Sequence, residues 1–433
     1  MIRFVSIALN IILTSFYFFP FMFKGYESMN TKKMMAVVGL AIFLFRIFQN
    51  RGGTISRNLF MLTLYAAAVS FWGFTSITLN ETPDYAYASY IMSMWVWIGG
   101  AYAVCCCIRE THGRLTVRLL CNYLAVVCVS QCVLALMIDN MPSFKMAVDS
   151  VVEQGQSFLN ERNVNRLYGI GASLDVAGSR FSAVLIILAF MISRTFAEEG
   201  RMVEKLLYLL AFAAIAVIGN IIARTTTVGL VLALGYWIID SKVWCMRIDN
   251  RYRKLFGWVA GVLVGVLPMI VILYQTDVEA RRLLRFGFEG FFSLIEKGTW
   301  EVTSNDKLRT MYVFPETFKT WVIGDGYFSS PQNIDPYFIG VIRGGYYMGT
   351  DVGYLRFIFY FGLLGLSAFI AFLCKSAKLC IDRFPKEKAL FVMLLIVNFV
   401  VWFKVSTDIF LVFALFLMFP NGQSVEEEKP YLN

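Results

Sequence analysis

A chain of 433 residues is long enough for two or three soluble domain cores, but its composition excludes them. Hydrophobic residues make up 58% and charged residues 16%, with a mean hydropathy of +0.63, so too little polar surface exists to cover a water-soluble body. The formal net charge of +9 does not indicate nucleic-acid binding, because the cations concentrate in alternate loops, where they orient membrane spans.

Apolar runs of about 17–25 residues recur along the chain, the length that crosses a hydrocarbon core. The short alternating segments of a β-barrel, about ten residues each, are absent. The expected class is an all-α polytopic membrane protein. Its first span, Phe4–Phe23, follows Arg3 and precedes no small-residue cleavage site, so it reads as a retained anchor. An outer loop with Lys24, Lys32 and Lys33 leads to Met34–Ile47, and Arg46, Arg51 and Arg57 mark the inner side. Asn58–Leu79, Tyr87–Ile108 and Leu119–Ile138 are the next three spans.

An outer loop, Asp139–Asp175, precedes a sixth span, Val176–Ile192. Leu206–Ala223 and Thr226–Ile239 form a hairpin with Arg224-Thr225 at its tip. A basic inner loop from Lys242 to Lys254 and a ninth span, Leu255–Tyr274, follow. A long polar segment, 276–350, then separates the ninth span from the tenth, Asp351–Leu373. The last apolar stretch, Ala389–Phe419, is broken by Lys404, Ser406, Thr407 and Asp408 and reads as two short helices meeting near the outer face. The sum is about twelve spans in one membrane domain covering residues 1–433, with both termini inside. Roughly nineteen Lys and Arg lie in short inner loops against about four in short outer ones, which sets that orientation. The acidic tail, Glu426–Glu428, reads as a solvated end.

Chemistry is sparse. All nine cysteines fall in spans or inner loops, and the Cys105–Cys107 run lacks metal-site spacing, so they read as small core residues. His112, the single histidine, lies in an inner loop and reads as solvated. The outer face therefore has no histidine base, no zinc constellation and no Ser-His or Cys-His pair. A Walker-type phosphate loop is also missing, which argues against nucleotide hydrolysis. No internal repeat supports a transporter built on inverted halves.

Arginine is what remains on that face. Arg166, Arg180 and Arg224 lie at span ends; Arg309, Arg343 and Arg356 belong to or border the long segment. A guanidinium stays charged and grips phosphate oxygens with a planar fork, so a convergent set would hold a lipid-linked diphosphate. The alternative is that these side chains only snorkel to lipid headgroups. Arg356 sits inside the tenth span, where an unpaired cation costs several kcal/mol and points to function. Asp351, at the span's start, is a candidate base whose pKa partial desolvation would raise, or else a helix N-cap. The amphipathic basic run Val278–Phe286 reads as a surface helix, with substrate contact as the alternative.

Asp351-Val352-Gly353-Tyr354-Leu355-Arg356, followed by Phe361-Gly362-Leu363-Leu364-Gly365-Leu366, resembles the end of the outer loop in the Wzy-type O-antigen and capsule polymerases, relatives of the O-antigen ligases. Arg309 through Trp321-Val322-Ile323-Gly324-Asp325-Gly326-Tyr327 resembles that family's arginine, helix and spaced-glycine element, without the proline that usually precedes the glycines. Arg166-Leu167-Tyr168-Gly169 and Ala223-Arg224-Thr225-Thr226 resemble its arginine loop and hairpin tip. The motifs span Arg166–Leu366; elsewhere only the topology agrees. The ligases carry a histidine eleven residues ahead of the glycine matching Gly362; this chain has Asp351 there, which favours the polymerases.

The resemblance implies a GT-C-like membrane glycosyltransferase with its large outer loop between spans nine and ten. It would work on the outer, periplasmic face of a bacterial cytoplasmic membrane and polymerise polyprenyl-diphosphate-linked oligosaccharides without nucleotide or obligatory metal. It further implies that Arg166, Arg224 and Arg309, supported by Arg180 and Arg356, hold the donor diphosphate. Asp351 would take the acceptor proton, with Tyr354 orienting an oxygen. Tyr327, Phe328, Tyr337, Phe338, Tyr346 and Tyr347 would offer sugars apolar faces, or serve as ordinary interfacial aromatics. Besides membrane lipids, a chain-length regulator and a flippase are candidate partners. Ligation to an acceptor lipid or protein is the alternative reaction, and non-enzymatic transport of a lipid-linked glycan is the alternative class.

Overall fold

The computed structural model describes residues 2–26, 30–49, 56–153, 166–242, 249–341 and 345–419. It is an all-α membrane protein. In chain order the helices are α1 (Ile2–Phe18), α2 (Thr31–Phe48), α3 (Arg57–Asn80), α4 (Tyr90–His112), α5 (Val117–Asn140), α6 (Pro142–Val151), α7 (Leu174–Ala197), α8 (Met202–Ile222), α9 (Thr226–Ser241) and α10 (Asn250–Thr276). The long polar segment carries α11 (Val278–Gly287), α12 (Glu289–Lys297), α13 (Thr303–Thr310), α14 (Phe318–Val322) and α15 (Pro331–Ile334). α16 (Gly353–Arg383), α17 (Lys388–Val401) and α18 (Phe410–Leu417) complete the described chain. Among the described residues the only sheet is a two-residue pairing of β1 (Met22–Phe23) with β2 (Val152–Glu153).

Seven of these helices, α3, α4, α5, α7, α8, α10 and α16, are long and apolar enough to cross a membrane; α1 and α9 are shorter apolar helices. Polar caps fix several starts: the side chains of Ser56, Thr116 and Asp277 accept the otherwise unpaired amides that follow them. α7 is the hub, with 94% of its most apolar stretch buried, whereas α10 buries only 6% of its own. α7 packs on α5, α8, α9, α10 and α17. Small residues make that density possible. A Cβ on Gly229 of α9 would lie 2.2 Å from the Ser182 Cα of α7, and the Ser182 hydroxyl donates to the Thr225 carbonyl at 3.0 Å.

Against about twelve expected spans, the described residues hold seven helices of spanning length, and several boundaries differ from the expected ones at helix ends. Lys32 and Lys33 form the first turn of α2 rather than a loop, and Asn30 caps that turn. His112 ends α4 with Nε2 2.9 Å from the Tyr123 hydroxyl, so it is not merely solvated. The Val278–Phe286 run is helical, as α11, and buries Leu283 and Leu284. The last apolar stretch is two short helices, α17 and α18, around a break at 402–409. Arg51, Arg343 and the acidic tail lie outside the described residues.

α16 is bent where it meets the long segment. Gly362 adopts φ +66, and this kink frees the carbonyls of Phe359 and Tyr360 from their helical partners. The amides of Asp325 and Gly326 take them up at 2.6 and 3.1 Å, and Ser76 of α3 donates to Tyr360 at 2.7 Å. A Cβ on Gly362 would lie 2.1 Å from the Val322 carbonyl oxygen. The spaced glycines of the long segment and the glycine of α16 are thus two halves of one contact. Asp84, from the α3–α4 loop, accepts the Phe328 and Ser329 amides at 2.7 and 3.0 Å and pins the next part of the segment.

Candidate functional site

Four stretches meet on the face that carries the long segment: the 166–173 loop with the first turn of α7, the α8–α9 tip, the start of α16, and the α17–α18 break. The start of α16 docks on that break, because the Tyr354 amide donates to the Trp402 carbonyl at 3.2 Å. Asp351 thereby comes near Lys404, with Asp175, Arg356 and Lys307 as its other charged neighbours. Lys404 in turn feels Asp175, Arg224, Arg166 and Asp351. The Thr225 hydroxyl donates to Asp175 at 2.6 Å, which ties the hairpin tip to α7.

Arg166 and Arg224 share one aromatic platform, their guanidiniums 5.0 and 4.1 Å from the centroid of Phe286 in α11. Arg224 also donates to the Phe286 carbonyl at 3.0 Å and pairs with Glu289 at 2.6 Å. Burial pushes the pKa values of Arg166, Arg224 and Lys404 below their ordinary ranges, so water screens these cations poorly.

Arg356 is 6% exposed and clamped between the rings of Phe328 and Tyr346, at 3.7 and 3.8 Å. It donates to Ser406 at 2.5 Å and to the Phe328 carbonyl at 3.1 Å, while its Nε has no partner. A guanidinium fixed this way presents a pre-oriented charge.

Asp351 is not the cap of α16. The cap residue is Val352, which makes no side-chain cap bond. Burial first, and the neighbouring Asp175 second, push the Asp351 pKa up to about 6. A carboxylate so placed is ionised near neutrality yet is a stronger proton acceptor than an ordinary one.

Arg180 belongs to a second, deeper cluster. It lies 6% exposed on α7, with Nε and Nη1 unpartnered, against Phe19 and Trp97 at 5.8 and 6.0 Å. Lys32 sits 4.1 Å over the same Trp97 ring and donates to Ser93 at 3.2 Å; Asp408 is a charged neighbour of both cations. A 3.1 Å hydrogen bond from Ser179 to Thr407 links this cluster to the first.

Two expected site residues are not brought in. The Arg309 side chain is 83% exposed on α13, 3.8 Å from Asp306; Lys307, on the same helix, is the residue that feels Asp351. Tyr354 spends its hydroxyl on the Phe399 carbonyl at 2.9 Å and packs its ring on Trp402 and Phe403, a structural contact. Among the loop aromatics, Phe328 and Tyr346 clamp Arg356, Tyr347 donates to Asp325 at 3.2 Å, and Tyr337 stands exposed. Sequence reasoning missed Asp175, Lys404, Lys32 and Asp408 as site members. For Lys404 and Asp408 the signal was a run of charged and hydroxyl side chains inside an apolar stretch, read only as a break in a span; Asp175 and Lys32 carried no such signal.

No protein-family model matches this chain, and neither a curated protein nor a solved structure matches it significantly.

Proposed function

We propose that the protein is a membrane glycosyltransferase that polymerises polyprenyl-diphosphate-linked oligosaccharide repeat units, in a GT-C-like arrangement of about twelve spans. The reading carries over the orientation set by the loop charges, with the long segment on the outer face of a bacterial cytoplasmic membrane. The observation that carries it is a run of charged neighbours at one end of the helix bundle: Arg356 and Lys404 beside Asp351, and Arg166 and Arg224, on Phe286, beside Lys404.

The four cations hold the donor diphosphate and stabilise it as it leaves. An acceptor hydroxyl attacks the anomeric carbon, the carbon–oxygen bond to the diphosphate breaks, and Asp351 takes the hydroxyl proton. Burial and the neighbouring Asp175 keep Asp351 basic. The products are a lengthened lipid-linked glycan and polyprenyl diphosphate.

A deletion strain tests the reaction class. Surface glycan capped with single repeats is the expected outcome. Full-length chains stranded on carrier lipid would mean ligation instead, and repeat units trapped inside the cell would mean transport.

A further inference from the structure

A large cavity lies away from this site. It is a groove of about 2240 Å³ between α1, α5 and α8, running from Phe21 and Ile170 at the long-segment face to Arg118 and Arg194 at the opposite face. Its walls are apolar and open to lipid, with Ile12, Val126, Leu207 and Leu210 all exposed. Along α5 it extends from Arg118 to Leu134, about 24 Å at 1.5 Å per residue, which exceeds one leaflet of roughly 15 Å. The Tyr208 hydroxyl donates to Asn122 at 2.6 Å and ties α8 to α5 at the groove's edge.

The end at the opposite face differs from the rest. Arg114, Arg118, Arg194, Arg201 and Lys386 line it, and among the described residues they outnumber the carboxylates, Glu198, Glu199 and Glu204 in the lining and Glu387 beside Arg194. Those carboxylates hold part of the set in place. Glu198 pairs with Arg118 at 2.8 Å and with Arg194 at 2.6 Å, and Glu204 lies 3.5 Å from Arg118. Even so, the buried Nε of Arg118 has no partner, and Arg201 and Lys386 are exposed without an ion pair among the described residues. A membrane-depth groove that ends in surplus, partly unpaired cations complements a molecule with an apolar chain and an anionic head.

We infer that the opposite-face half of this groove is a binding site for an anionic glycerophospholipid. Its acyl chain lies along α5 and α8, and its phosphate meets Arg118, Arg201 and Lys386. The site is independent of the reaction proposed above. It also has a structural consequence. Arg194 pairs with Glu387 at 3.1 Å just ahead of α17, so a bound headgroup braces the junction of α7, α8 and α17.

Native mass spectrometry of the full-length protein in nonionic detergent, with phosphatidylglycerol and phosphatidylcholine added at equal concentration, tests this. Wild type is expected to retain phosphatidylglycerol about tenfold better. The double variant Arg201→Gln/Lys386→Gln leaves every recorded ion pair intact and should lose the preference. Ala211→Trp, which fills the groove and keeps the charges, should lower retention of both lipids. Equal retention of the two lipids by wild type, an unchanged preference in the double variant, or stronger retention of a polyprenyl phosphate in competition would overturn the assignment.

Discussion

Asp351 is buried enough to resist ionisation and has a second carboxylate for a neighbour, so its pKa rises to about 6. In the proposed role of general base Asp351 must be deprotonated, so chain growth by the wild type should fall off as pH drops below about 6. Stability runs the other way. Folding raises this pKa, so the folded state gains stability at low pH and loses that contribution as pH rises through about 6. Asp351→Asn should therefore abolish chain growth while matching or exceeding the wild-type Tm above that pH, as read by thermal unfolding in detergent. The arginines divide as sharply. Arg224 holds a fixed place on Phe286, whereas Arg309 is solvent-exposed. Arg224→Ala should lower chain growth by about 100-fold or more, the scale of losing a transition-state charge contact. Arg309→Ala should leave it within about threefold, the scale of an exposed charge. Quantifying glycan ladders from strains with equal membrane protein levels separates the two.

The element that frames the site is the kinked α16. Gly362 needs positive φ and has the Val322 carbonyl where a side chain would begin, so Gly362→Ala should destabilise the fold by about 1–3 kcal/mol. A lower Tm with reduced activity is the expected result, and an unchanged Tm would mean that the kink is not required. Seven long apolar helices were legible in the sequence because hydrophobic length reports directly on membrane crossing. The two glycine motifs were legible as motifs but not as partners, since nothing in a linear pattern says that Gly324 lies against Tyr360 and Gly362 against Val322. Arg309 and Tyr354 show the same limit. Their residue types suited the chemistry, but the direction of a side chain depends on tertiary packing, which sends one to solvent and the other to α17. The polar residues from Lys404 to Asp408 were visible as an interruption, and only the docking of α16 on that break makes them part of a site.

At the scale of the molecule, α7 sits at the centre and carries both charge clusters, Asp175 in its first turn and Arg180 further along the same helix. The apolar helices around it keep bulk water from those charges, which strengthens their action on an anionic group. The long segment covers the same end of the bundle, so substrate would reach the site from that face. In a cysteine-free background, Tyr337→Cys should react with a membrane-impermeant maleimide in intact cells, and Lys254→Cys only after permeabilisation. The reverse pattern would invert the proposed orientation. The proposed polymerisation runs in the cradle formed by Arg356 and Lys404 beside Asp351 and by Arg166 and Arg224 beside Lys404. Its most direct test is reconstitution of the purified protein in proteoliposomes with the lipid-linked repeat unit isolated from the same cells. Wild type should convert that unit into a ladder of longer lipid-linked glycans and release polyprenyl diphosphate, and Asp351→Asn should do neither. A wild-type protein that forms no ladder, or an Asp351→Asn variant that forms one as fast, would contradict the account.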